Sequence, residues 1–120
     1  MVVTVEVGIG TKYWVKARAM RCGNDLTVAL CGGTLHHIGA VSLACYEPMR
    51  DSATVSTITV HTHRDDQVAA SLAKSLSRAL KCTVSVSAGV HIDEASSEEI
   101  ALLSQNCNEC CALLLKKLSF

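Results

Sequence analysis

Five histidines among 120 residues could do chemistry together only if the fold brings them to one place. His36 and His37 are adjacent, directly after the turn that Gly32-Gly33 introduces, and an apolar run over residues 38–45 follows. On extended backbone, neighbours point to opposite sides, so only one of this pair can face a given ligand. His61 and His63 are two apart and would share a side if extended. With a third donor from His37, His91 or Asp93 they could bind zinc, nickel or copper; turn and capping histidines in solvent explain the same pattern. His91 and Asp93 could form an oriented acid–base pair, or could simply belong to a strand-to-helix turn. We expect the segments around His37, His63 and His91 to converge on one pocket, with titratable groups at the mouth of buried strands.

The stretch Thr62-His63-Arg64-Asp65 opens a helix. Free backbone N–H groups there favour an anion, and Arg64 could add a charge-assisted bond to a phosphate. Asp65 and Asp66 already complement the helix dipole, so ordinary capping is the competing reading. Cys107-Asn108-Glu109-Cys110-Cys111 contains a CxxC, but no second pair stands at that spacing. It lies well inside a helical pattern, where positions i, i+3 and i+4 form a packing stripe. No nucleophile elbow surrounds a serine, and Gly8-Ile9-Gly10 and Gly32-Gly33 lack the later glycine of a dinucleotide loop. The residues alone make a thin case for catalysis.

The elements that must position these groups follow from periodicity. Strands are expected over residues 2–7, 12–21, 26–31, 38–46 and 52–60, with Gly39 close to the start of the fourth. Val68, Leu72, Leu76 and Leu80 then form an i, i+4 stripe, which predicts a helix over 65–80. A sixth strand over 83–88 ends at Gly89. Ser96-Ser97-Glu98-Glu99 is a capping box that starts a helix running from Ser97 to about Leu118. Ile100, Leu103, Cys107, Cys110, Leu114 and Leu118 lie near one face of it. The five leading strands suggest an antiparallel meander. The order βββββαβα reads as one α+β domain over residues 1–120, with a mostly antiparallel six-stranded sheet and two helices on one face.

Bulk composition narrows the function classes. Hydrophobic residues make up 49% and charged residues 18%, enough for a real core in one domain. Aromatics are only 3%, so Val, Ala, Leu, Ile and Cys must build that core. Low charge on a short chain leaves apolar surface for a homo-oligomer or another partner. Eleven basic and eleven acidic residues give zero net charge and no basic stripe, which argues against nucleic acid. No membrane-length apolar run and no signal-peptide pattern is present, so a cytoplasmic protein is expected. The seven cysteines are then reduced, buried small hydrophobes.

Three stretches, taken in order, resemble the LpdD-like prenylated-flavin chaperones that accompany UbiD-type decarboxylases. They are His37-Ile38-Gly39-Ala40-Val41-Ser42-Leu43-Ala44, the strand over 52–60 leading into His63-Arg64-Asp65-Asp66, and Ala88-Gly89-Val90-His91-Ile92-Asp93 before Glu98-Glu99-Ile100. The similarity extends along nearly the whole chain. Where the family commonly has Pro-Gly-His before its first helix, this chain has Val60-His61-Thr62-His63, and its cysteine-rich last helix is not part of the pattern. The resemblance implies a chaperone that holds prenylated FMN, or delivers it to a decarboxylase acting on a phenolic acid. The motif-matching residues are His37, Gly39, His63, Arg64, His91 and Asp93. By their chemistry, Arg64 and the helix N-terminus would take the flavin phosphate, and His37 and His91 would bond polar ring atoms or the ribityl chain. Gly39 and Gly89 would let the ligand approach backbone, and Trp14, Tyr13, Tyr46 or aliphatic walls would stack on the ring. The competing readings are a histidine-based metal protein or small metal-dependent hydrolase, and a structural subunit without a ligand.

Overall fold

A computed structural model of the chain describes residues 2–60 and 65–119. It contains β1 (Val2–Val7), β2 (Val15–Cys22), β3 (Asp25–Gly33), β4 (Ala40–Glu47), β5 (Ser52–Thr59), α1 (Asp65–Leu80), β6 (Val84–His91) and α2 (Ser97–Leu118). The order of elements is the one that periodicity predicts, and both helices keep their expected bounds. Residues 12 and 13 belong to a turn rather than to the start of β2, and residues 38 and 39 precede β4 instead of belonging to it. β6 runs three residues beyond its expected end, carrying Gly89 and His91 within the sheet.

The sheet order is β1-β2-β3-β6-β4-β5. β3 and β6 pair in parallel, and the other neighbours are antiparallel. The meander expected from five successive strands is therefore broken: β6 is inserted between β3 and β4. Its sequence, Val84-Ser85-Val86-Ser87-Ala88, suits a central place. Val84, Val86 and Ala88 are fully buried beneath the helices, and the serines point to the other face. The β5–α1–β6 crossover passes over β4, as a parallel return requires.

Both helices cover one face, α1 over β4, β5 and β6, and α2 over β1 and β2. Small residues let them approach closely. Ala40, Ala44 and Ala88 on the sheet and Ala69 and Ala73 on α1 are fully buried. On α2, Leu103, Cys107, Cys110, Leu114 and Leu118 form the buried stripe. Each leucine buried there stabilises the fold by about 2 kcal/mol. Ile100, expected on that stripe, is half exposed instead. α1 stops at Leu80 because Lys81 takes a left-handed backbone conformation, φ 54°, and turns the chain into β6. The capping box is present: Glu99 N–H donates to Ser96 Oγ, and Ser96 N–H donates to Glu99 Oε1, both at 3.1 Å. Glu99 also pairs with Lys12, which ties the turn before β2 to the start of α2.

Candidate functional site

The loop joining β3 to β4 must cross the end of β6, because β6 separates those strands. The amides of Thr34 and Leu35 donate to the His91 carbonyl at 2.8 and 3.4 Å. Gly39 N–H donates to the Ala88 carbonyl at 2.8 Å. This crossing is so close that a Cβ on Gly89 would lie 1.6 Å from the His37 carbonyl oxygen. A Cβ on Gly39 would lie 1.8 Å from Asp65 Oδ2. The room each glycine leaves is thus filled by the protein's own chain, and the two glycines bring loop, strand and helix together.

Asp65 is the residue that sequence reasoning missed as part of the site. It is the first residue of α1 and only 4% exposed. A carboxylate buried there needs partners. Oδ1 accepts the Val90 N–H at 2.9 Å, and Oδ2 lies 3.3 Å from His37 Nε2. The other ring nitrogen of His37 faces the Leu35 carbonyl at 3.4 Å. Asp65 therefore does more than complement a helix dipole: it fixes α1 to β6 and orients His37. The signal for this role was an aspartate at a helix start, which ordinary capping explains equally well.

His37 and His91 meet edge to face, with ring centroids 6.0 Å apart. His91 Nε2–H donates to Asp93 Oδ1 at 2.9 Å at the exposed rim. His36 points away and packs on Trp14, with centroids 4.9 Å apart. His61, His63 and Arg64 lie outside the described residues, so their placement is left to the sequence. Among the described residues no three His, Cys, Asp or Glu side chains group as a metal site.

Below His91 a cavity of about 480 Å³ opens between the end of β6, α1 and the first turns of α2. Val68, Val90, Ile92, Leu103 and Cys107 form apolar walls, and Asp65, His91 and Glu94 stand among its lining. His91 supplies the aromatic ring of that lining. Trp14 is engaged with His36 and donates its Nε1–H to Glu6. Tyr46 donates to Asp51 at the far end of β4, roughly 20 Å along the strand from Ala40. The cavity's faces are therefore aliphatic. Burial pushes the Cys107 thiol up to about 12, with the nearby Cys110 and Asp65 adding to the effect. Burial likewise holds Cys110 at about 11. Neither thiol is a nucleophile at neutral pH.

A hydrocarbon-lined cavity with the His91 imidazole in its lining, and His37 edge-on to that ring, suits a heteroaromatic ligand with an apolar part. The family model for prenylated flavin chaperone LpdD-like domains matches residues 10–119. The chain belongs to this family. Protein LpdD of Lactiplantibacillus plantarum is 26% identical over 89 residues, a match covering 74% of this chain and 65% of that protein. The chain thus spans somewhat less than two thirds of the length of that curated relative. A solved structure, described as a novel chaperone complex for yeast 20S proteasome assembly, superimposes with a TM-score of 0.62 at 15% identity. The match covers 97% of this chain and 96% of that one, and the likeness is one of fold. The LpdD-like family is the one that the histidine and glycine motifs resemble.

Proposed function

We propose that this protein binds prenylated FMN in the cavity below His91 and passes it to, or keeps it for, a UbiD-type decarboxylase of phenolic acids. The observation that carries the reading is the joining of an aliphatic cavity to the His37–Asp65–His91 cluster in a member of a prenylated-flavin chaperone family. The bound group brings a heteroaromatic edge of carbonyl and ring-nitrogen atoms, an added hydrocarbon ring and a ribityl phosphate. Val68, Val90, Ile92 and Leu103 offer the hydrocarbon a dry wall. His91 and His37 can donate to or accept from the polar edge. Asp65 holds His37 in place, and Asp93 does so for His91. Asp65 and Glu94 in the lining and Asp93 at the rim are acidic, so a phosphate needs a cation from elsewhere. Arg64, next to Asp65 in sequence, is the residue we assign to it, with His63 beside it.

The test is a titration of metal-free protein with prenylated FMN, with plain FMN as control, read by absorbance and calorimetry. Saturable binding that favours the prenylated form is expected. His91→Ala and Arg64→Ala should each weaken it about tenfold, the scale of one hydrogen bond to a charged or polar ligand group. Unchanged affinity in both variants removes this site. If neither flavin binds wild-type protein, a structural subunit of the decarboxylase complex becomes the better reading.

A further inference from the structure

Among the described residues, nothing covers the sheet face opposite the helices. Its side chains follow from the register. One row across the central strands reads Thr27, Ser85, Leu43 and Ser56, and the next reads Ala29, Ser87, Val41 and Ile58. None of these eight positions is charged. Leu43, Val41 and Ile58 are 46%, 39% and 76% exposed, and Met20 extends the first row onto β2 at 47%. The charges of this face lie around that centre: Glu6, Lys16 and Arg18 on β1 and β2, Asp25 at the start of β3, and Glu47 at the end of β4. An uncharged middle within a rim of both signs is the anatomy of a protein–protein interface.

We infer that this face is where a second copy of the chain docks, sheet against sheet. Charge selects the occupant. An uncharged centre sets no like charges against each other when the face meets itself, and a chain of zero net charge carries no overall repulsion between copies. Area is sufficient. Six strands about 4.8 Å apart and about eight residues long, at about 3.3 Å per residue, present roughly 700 Å² in plan. That is close to the ~800 Å² per partner of a stable interface. The hydroxyl and alanine positions make the centre low, and the cross-strand bond from Ser85 Oγ–H to Thr27 Oγ1, at 2.8 Å, satisfies those groups within the sheet. Two such faces pack about 10 Å apart with their strands rotated by about 30°. The helices, the cavity and the His37–Asp65–His91 cluster then remain on the outer sides of the dimer, open to ligand and to other proteins.

The test is sedimentation equilibrium on the purified chain without ligand. The expected mass is twice 12.7 kDa. Leu43→Lys and Ile58→Lys, made separately, place an unpaired charge in the centre and should raise the dimer dissociation constant about a hundredfold or more. Ile58→Lys guards against misfolding, because that side chain is already largely solvated in the single chain; circular dichroism melts verify both variants. Met49→Lys, on a loop residue that is 97% exposed, should leave the mass unchanged. A one-chain mass for the wild type would overturn the inference and leave the face for a different protein. So would a dimer that survives both charged variants while they remain folded, since pairing would then run through a strand edge or the helices.

Discussion

At the scale of single residues, the site depends on two glycines whose missing side chains are replaced by other parts of the protein. Gly39 accommodates the Asp65 carboxylate, and Gly89 accommodates the His37 carbonyl. An alanine at position 39 must displace a buried carboxylate that also holds Val90 N–H and faces His37. Gly39→Ala should destabilise the protein by about 1–3 kcal/mol, the usual cost of overpacking, and weaken flavin binding together with stability. Urea melts of the variant check the first effect; a variant as stable as wild type would mean that Asp65 can move freely, contrary to its three-sided fixation. The same residues show what sequence could reveal of the site. His37 and His91 were legible as candidates because each comes a few residues after a glycine and lies beside an apolar strand. Their meeting at 6.0 Å was not, since it depends on which strands are neighbours. Asp65 was hidden by its position, because an acidic residue at a helix start has a sufficient local explanation.

At the scale of elements, α2 carries two separable features. Its first turn is fastened by Glu99, whose carboxyl is held below the ordinary 4.5 chiefly by its bond to Lys12, with the Ser96 backbone amide adding to that. A lowered folded-state value means that folding favours the charged form. Glu99's contribution is therefore complete above the ordinary glutamate range and disappears as pH falls through the lowered value. Amide exchange in the first turn of α2 should accelerate as pH drops below the ordinary glutamate range, after correction for intrinsic rates. Glu99→Gln should remove that pH dependence and leave the rest of α2 unaffected; an identical acid response in the variant would assign it to another group. The middle of α2 has the CxxC, and here local pattern was enough to read it. Cys107 and Cys110 fall on the buried stripe, with Cys110 Sγ–H directed to the Val5 and Val15 carbonyls at 3.7 and 3.8 Å. Cys22 and Cys45 are exposed. A thiol reagent at pH 8 should modify Cys22 and Cys45, which stand on the open sheet face, well before Cys107 and Cys110, which react only when the protein unfolds. Fast labelling of Cys107 in folded protein, seen by peptide mass, would contradict the packing described here.

At the scale of the whole molecule, the elements were legible in the sequence and their order in the sheet was not. Alternation and helical stripes are local signals, and they located six strands and two helices. The neighbours of β6 are decided by long-range competition. In a meander β6 would lie at an edge, whereas it sits between β3 and β4 and is hydrogen-bonded on both sides. What favours insertion is its complete burial beneath the helices at Val84, Val86 and Ala88, combined with small serines on the other face. The insertion also creates the candidate site, because it obliges the β3–β4 loop to cross the β6 end and brings His37 over Gly89. Native-state hydrogen exchange tests this arrangement directly. Amides of β6 from Val84 to Ala88, and of β3 beside it, should exchange only through global unfolding, and those of the sheet-edge strands β1 and β5 should exchange through cheaper local openings. A β6 that exchanges as fast as β5 would restore the meander. It would then also separate His37 from His91, because the loop that carries His37 would no longer pass over the strand that ends in His91.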